Sequence, residues 1–220
     1  MQKLKKYAAS KAGRDTLLSF GIVIIAYVVM QAMLATGAVS SLVQSLLVPI
    51  CAYIILAVSL NLTVGILGEL SLGHAGFMPV GACSGVVAAT TLADAVPFEP
   101  LRLALAIIVG GICAAVAGVI VGVPVLRLKG DYLAIVTLAF GEIIKNIINV
   151  LYVGLDGAGL HFSLLQQSFQ LEEGGKMIIN GAMGVSGVSR LSSFTSGFVL
   201  VLITLFIILN LIHSRAGRAI

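Results

Sequence analysis

Four polar side chains recur at helical spacing within one otherwise apolar segment. Glu142, Lys145, Asn146 and Asn149 lie three and four residues apart, so much of their surface falls on one face of a helix. Counted from Tyr132 at 1.5 Å per residue, Glu142 lies about 15 Å into the segment, near the middle of a bilayer core. A charge at that depth needs a partner or a water-filled cavity. The pattern therefore predicts one of two roles for Glu142 and Lys145: a structural ion pair, or part of a translocation path.

A second polar group interrupts the apolar pattern earlier in the chain. The stretch from Asn61 to Ala82 contains repeated glycines together with Glu69, His74 and Pro79. Irregular backbone at membrane depth persists only where protein or water satisfies its hydrogen bonds. We therefore expect this stretch to be buried at a helix junction rather than to form one straight helix, with Glu69 and His74 as further candidates for the translocation path. The ordinary alternative for His74 is a packing residue.

Sequence motifs of enzyme chemistry are absent. There is no HExxH pair, no Ser/His/Asp ordering and no GxxxxGK[ST] phosphate-binding loop. Cys51, Cys83 and Cys113 lie inside apolar runs at spacings that suit neither a metal site nor a disulfide framework, and we interpret them as small core residues. No catalytic residue, metal or cofactor is expected in this chain.

The composition indicates which elements must position these polar groups. Of 220 residues, 59% are hydrophobic and 10% are charged, against about 25% charged in a typical globular protein. The mean hydropathy of +1.13 is typical of several membrane-spanning helices, and a net charge of +4 spread over segment ends excludes a nucleic-acid reader. The predicted fold class is an all-α, polytopic transmembrane helical bundle, a single domain over residues 1–220. Its six predicted spans are Leu17–Thr36, Leu42–Val64, Leu72–Ala93, Leu101–Leu126, Tyr132–Val153 and Phe198–Ile212.

The basic residues predict the orientation of this bundle. Segments assigned to the cytoplasm hold nine Lys and Arg residues, and segments assigned to the outside hold three. Because cytoplasmic loops carry the excess of basic residues, both termini are predicted to be cytoplasmic, and the first apolar run is predicted to be an uncleaved helix. The nine are Lys3, Lys5, Lys6, Lys11, Arg14, Arg127, Lys129, Arg215 and Arg218; the three are Arg102, Lys176 and Arg190.

Two of the predicted spans carry small residues at every fourth position, the spacing that lets helix backbones approach closely in lipid. We predict that these residues pack against other helices and do not line a path. They are Gly81, Gly85 and Ala89 in the third span, and Gly110, Ala114, Gly118 and Gly122 in the fourth.

The stretch 154–197 is too polar and too rich in glycine to span a membrane, and we predict an external loop. Leu160, Phe162, Leu164, Leu165 and Phe169 recur within it at near-helical spacing, which predicts a short surface helix. Such a helix would either cap the bundle or present a docking surface to an external partner.

Two stretches carry long mixed patterns of polar and apolar residues. The first is Leu60-Asn-Leu-Thr-Val-Gly…Gly68-Glu-Leu-Ser-Leu-Gly-His-Ala-Gly-Phe, and the second is Leu126-Arg-Leu-Lys-Gly-Asp-Tyr-Leu-Ala-Ile-Val-Thr-Leu-Ala-Phe-Gly-Glu-Ile-Ile-Lys. They closely resemble the branched-chain amino acid ABC permeases, and their order and separation match the M-type of the two membrane subunits. The resemblance covers roughly Leu42–Ile220.

This resemblance implies a multi-pass subunit of the cell inner membrane that imports leucine, isoleucine or valine. It implies that the subunit works with a second permease subunit, two cytoplasmic ATP-binding subunits that hydrolyse ATP, and an external solute-binding protein. It places Arg215, Gly217 and Arg218 at the start of a cytoplasmic loop that contacts the ATPase. Because the family continues through that loop and further helices, it also implies a chain that is incomplete at its C-terminus.

Two other functions stay open on the sequence alone. An ion-coupled secondary carrier would use Glu142 and Lys145 to bind a coupling ion or proton, and a chain without the coupling loop would be a non-transporting fragment. The sequence does not rank the branched-chain amino acids against one another or against the related amides, because an apolar pocket discriminates one methylene by only about 1–3 kcal/mol.

Overall fold

The computed structural model describes residues 11–93, 95–125, 127–128, 130–156, 159–165, 175–188 and 191–214. Over these residues the chain forms six α-helices and a three-stranded sheet. The helices are α1 Lys11–Ala35, α2 Ser41–Asn61, α3 Phe77–Thr91, α4 Glu99–Val125, α5 Asp131–Asn149 and α6 Phe194–His213.

Among the described residues, four helical segments are long and apolar enough to cross a membrane: Thr16–Ala35, Ser41–Ile66, Glu99–Val125 and Phe194–Ile212. Each predicted span overlaps one of the six described helices, so the predicted polytopic helical membrane fold is confirmed. The helix α3 has 15 residues and is about 22 Å long, shorter than a bilayer core, whereas α5 contains Asp131, Glu142 and Lys145. A full crossing by α3 and by α5 stays a prediction.

Irregular backbone separates α2 from α3, as the glycines and polar residues of this stretch predict. The expected burial of the stretch is wrong for its first half, because residues 64–70 are exposed and Gly73 alone is buried among residues 61–82. The helix α2 continues as a π-helical turn over Leu62–Ile66, and Gly68 then adopts a positive φ of 72°, which glycine permits without steric cost. A 3-10 turn at His74–Gly76 leads into α3. The third helix therefore begins at Phe77 and not at Leu72.

The sheet follows α5 directly. Its strands are β1 Leu151–Asp156, β2 Gly159–Leu164 and β3 Lys176–Asn180, in the order β2-β1-β3 with both pairs antiparallel. Two sequence predictions are thereby wrong. The helix of the predicted fifth span ends at Asn149 instead of Val153, and residues 159–164 form a strand where the pattern predicts a surface helix. Phe169, which belongs to the same pattern, lies outside the described residues.

The described residues fall into two compact units. The first unit comprises the chain up to Leu62 and the chain from Ser192 onward, and thus α1, α2 and α6. In it, Tyr27 stacks on Phe198 with ring centroids 4.0 Å apart. Where α2 meets α6, Cys51 is 5% exposed, and a Cβ built on Gly197 would lie 3.1 Å from the Cβ of Cys51. Cys51 is therefore a small packing residue, as predicted.

The second unit, Thr63–Leu191, contains α3, α4, α5 and the sheet. One core cluster joins Val121 and Val125 of α4 to Leu133 of α5. The other places Val153, Ile178 and Ile179 of the sheet against Cys83, Val86 and Val87 of α3. The first of these clusters fixes α5, the helix that carries Glu142, Lys145, Asn146 and Asn149.

Candidate functional site

The ion pair expected in α5 forms within that helix. Lys145 Nζ donates to Glu142 Oε1 at 3.4 Å and to Glu142 Oε2 at 3.3 Å, as three-residue spacing on one helix face allows. The two side chains are 60% exposed at Lys145 and 55% exposed at Glu142. The pair therefore exists without a contribution from a neighbouring helix.

The whole polar strip of α5, defined as Glu142, Lys145, Asn146 and Asn149, is exposed. The opposite side of the helix packs through Leu133, Val136 and Phe140 on the α4 cluster. An amphipathic helix of this kind has its apolar side held by its own unit and its polar side free to face water, a solute or another chain. The strip is thus available for a translocation path, and its role in one stays a prediction.

The irregular segment is fixed against α5 by backbone contacts at glycine. A Cβ built on Gly73 would overlap the carbonyl oxygen of Thr137, and one built on Gly76 would lie 2.7 Å from the Cα of Gly141. Leu72 N also donates to Thr137 Oγ1 at 3.2 Å. Only residues without side chains permit such close backbone approach, so this glycine crossing (Gly73, Gly76 and Gly141) holds the segment beside Glu142.

The structure places Glu69 and His74 on the same irregular segment but in different surroundings. Glu69 is exposed, and its backbone N donates to Thr63 O at 3.3 Å. His74 is half-buried and begins the 3-10 turn that packs on α5. Both residues belong to the unit that contains the polar strip, and their participation in a path stays a prediction.

The glycines predicted to pack between helices fall into two groups. Gly81, Gly85 and Gly110 lie where α3 crosses α4: a Cβ on Gly81 would be 3.4 Å from Gly110 O, and one on Gly85 would be 3.2 Å from Ala106 O. A Cβ on Gly118 or Gly122 would meet no described atom within 4 Å. The prediction that Gly118 and Gly122 pack against a further helix therefore stays open and concerns a part of α4 that contacts no described atom at these glycines.

Sequence reasoning identified the charged residues of this site and missed the contact that positions them. The three glycines of this contact lie in the two stretches that resemble the permease family: Gly73 and Gly76 in the first, and Gly141 in the second. Arg215, Gly217 and Arg218, predicted to begin the coupling loop, lie outside the described residues. Among the residues that the structure describes, no group of three or more His, Cys, Asp or Glu side chains is placed to hold a metal ion.

Comparison with known proteins gives a family match over most of the chain. Residues 42–220 match the family model described as "Branched-chain amino acid transport system / permease component". Two curated relatives, from Escherichia coli and Salmonella typhimurium, are both named high-affinity branched-chain amino acid transport system permease protein LivM. Each is 34% identical to this chain over 182 residues, which are 76% of this chain and 40% of the relative. The chain thus spans about 40% of the length of these relatives. No solved structure matches the chain significantly.

Proposed function

Because the chain belongs to the family of permease components of branched-chain amino acid transport systems, we propose that it is a membrane-spanning subunit of an importer for leucine, isoleucine and valine. The observation that carries the proposal is the family match over residues 42–220, which includes the irregular segment, the glycine crossing and the polar strip. As a member of this family the chain is a multi-pass transport component of a membrane and not an enzyme.

In this proposal the energy for import comes from other chains. Two cytoplasmic subunits bind and hydrolyse ATP, a second permease completes the membrane part in the inner membrane, and an external binding protein delivers the amino acid. The sequence supports this division because it contains no phosphate-binding GxxxxGK[ST] loop. An effect of ATP on this chain then requires contacts that differ between the nucleotide states of the partner.

Within the chain we assign different tasks to the polar residues. Glu142 and Lys145 form a structural pair, supported by their 3.3 Å contact and by the cost of a lone charge in hydrocarbon. Asn146 and Asn149 continue the exposed strip with uncharged amide side chains. Such amides can form hydrogen bonds with a zwitterionic amino acid as it moves along the translocation path. Glu69 and His74 contribute from the irregular segment that is held against α5.

Uptake measurements test the proposal directly. Membrane vesicles that contain the chain with its partner subunits and binding protein are loaded with ATP, and accumulation of labelled leucine is followed. We expect accumulation to require ATP hydrolysis, to survive an uncoupler, and to decrease with unlabelled isoleucine or valine but not with lysine. The control is a set of vesicles with a hydrolysis-deficient ATPase subunit.

The ion-coupled carrier makes the opposite prediction for the same vesicles. Uptake that continues with the hydrolysis-deficient ATPase and is abolished by the uncoupler would refute the importer proposal. In that case Glu142 and Lys145 would be the first residues to examine for binding of the coupling ion.

A further inference from the structure

An apolar cavity of about 550 Å³ lies in the second unit. Its walls come from the helices α3, α4 and α5 on one side and from the sheet on the other. The helix side includes Val87, Val109 and Ile148, and the sheet side includes Val153, Phe162 and Ile179.

The lining offers almost no polar group to a ligand. Ser84 carries the one hydroxyl among the described lining residues, and its Oγ donates to Val80 O of its own helix at 2.7 Å. Cys83 adds a thiol, which behaves as a small hydrophobe. Because an ordered water needs about two to four polar partners, and a zwitterion would lose its hydration without compensation, the cavity suits neither water nor an amino acid.

The volume of the cavity narrows the choice of an apolar occupant. A cavity of about 150 Å³ already stays dry and takes up benzene or xenon, and ligand sites are typically about 300–1,000 Å³. A helix about 10–12 Å across would use up the available volume within one or two turns. A crossing helix of another chain can therefore cover the opening but not occupy the cavity along its length, whereas a single alkyl chain is thin and flexible enough to enter it.

The depth of the cavity identifies where such an alkyl chain comes from. Val109 is ten residues from Glu99, the first residue of α4, and thus lies about 15 Å along a span, half of the roughly 30 Å hydrocarbon core. Val87 and Ile148 lie close to the last residues of α3 and α5, so the cavity runs from the middle of the core to the end of these helices that is predicted to be external. Phe162 lines the cavity and is 64% exposed, so it lies at the opening. We propose that the cavity binds the acyl chain of a membrane lipid, which enters past Phe162. The proposal rests on the membrane location of the family and not on the transported substrate.

Fluorescence quenching by lipid provides the test. The chain contains no tryptophan, so Phe162→Trp introduces one reporter into it at the opening, and Phe206→Trp introduces a matched reporter on α6, where Phe206 is 61% exposed. The fluorescence of the same complex without either substitution is subtracted, which removes the signal of the partner subunits. The chain with its partner subunits is placed in vesicles of phosphatidylcholine, with or without bromine at the middle of the acyl chains. We expect bromination to cause a loss of fluorescence at position 162 and acrylamide in the water to cause little.

Filling the cavity separates a bound acyl chain from bulk lipid. Ala88, which lines the cavity, is replaced in the Phe162→Trp background by leucine and by phenylalanine. We expect the loss of fluorescence to shrink in Ala88→Leu and to shrink further in Ala88→Phe. Ala104→Phe, at an exposed position of α4, is the control and should leave the quenching unchanged, as should Ala88→Phe combined with Phe206→Trp.

Three results would overturn the proposal. Fluorescence at position 162 that is insensitive to bromination would mean that protein covers the opening. Strong quenching by acrylamide would mean that water fills the cavity. Quenching that is equal in Phe162→Trp, in its Ala88→Leu variant and in its Ala88→Phe variant would mean that the reporter senses only bulk lipid.

Discussion

The free energy contributed by the Glu142–Lys145 pair depends on what surrounds it. An ion pair in water contributes about 0–1 kcal/mol, whereas a lone lysine at the centre of a membrane helix costs about 2.5–3.5 kcal/mol on insertion scales. The two nitrogen–oxygen distances of 3.3 and 3.4 Å show that α5 itself supplies the counter-ion. The change in stability on substituting one or both residues therefore shows whether the pair lies in water or in hydrocarbon.

We expect Glu142→Gln to destabilise the subunit by about 2–3 kcal/mol, because Lys145 is left without a counter-ion in hydrocarbon. Glu142→Gln combined with Lys145→Met removes both charges and should restore the stability. Thermal unfolding of the purified complex measures the difference, and leucine uptake by the double variant shows whether the charges also serve transport. Equal stability of native, single and double variants would mean that the pair faces water.

A second residue-scale prediction concerns the beginning of α6. Ser196 N donates to Ser193 Oγ at 3.3 Å, and Ser193 N donates to Ser196 Oγ at 3.0 Å, a reciprocal capping box. Ser193→Ala should lower the stability by about 1 kcal/mol, measured by thermal unfolding. Ser192→Ala, one residue outside the box, serves as the control, and an equal loss in both variants would contradict the role of the cap.

At the scale of the elements, the contact between α3 and α4 can be tested by substituting two adjacent glycines of α4, Gly110 and Gly111. A Cβ on Gly110 would collide with the backbone of Gly81, whereas a Cβ on the neighbouring Gly111 would meet no described atom within 4 Å. Gly110→Ala should therefore destabilise by about 1–3 kcal/mol through overpacking. Gly111→Ala should be neutral or stabilise by up to about 1 kcal/mol, because alanine favours helix.

Thermal unfolding and the amount of folded subunit in the membrane measure both glycine variants. Because the two positions share one helix and one substitution, their difference isolates the contact with α3. A loss of stability in Gly111→Ala as large as in Gly110→Ala would show that a further helix covers the other side of α4.

The helices could be predicted from the sequence because they form from contacts between residues close together in the chain, whereas the strands could not. Long apolar windows identify the helices because a span needs about 20 apolar residues in one local run. The strands were missed for two reasons. Leu151–Asp156 continues an apolar run that looks like the end of a helix, and the strict alternation of Leu160, Phe162 and Leu164 was interpreted as helical because of Leu165 and Phe169.

The candidate site shows the same division. The polar strip of α5 could be predicted because its members lie within eight residues on one helix. The three glycines of the crossing can be read in the sequence, but their contact could not be predicted, because Gly73 and Gly141 come together only through the packing of the second unit. Spacing along the chain describes a helix face, but it does not describe which distant segment will lie against it.

For the whole molecule, the distribution of basic residues predicts the orientation in the membrane. A reporter enzyme that is active only outside the cytoplasm should be active when fused near Lys176 and inactive when fused near Arg127. The physical reason is the excess of Lys and Arg in the segments assigned to the cytoplasm. Enzyme assays on intact cells measure the result, and reversed activities at the two positions would contradict the predicted topology.

The first unit is formed by two parts of the chain that are far apart in sequence, and this has a consequence for its synthesis on the ribosome. The helix α2 ends at Asn61, and its partner α6 begins at Phe194, so roughly 130 residues are translated between them, which takes about 7–26 s at 5–20 residues per second. The second unit is translated during that interval. Throughout it, Cys51 lacks its contact with α6 at Gly197. In nascent chains stalled before Phe194, the side of α2 that carries Cys51 should therefore face lipid, and a photoactivatable residue in place of Cys51 should crosslink to lipid. Once α6 has been inserted, the same residue should crosslink to α6 instead.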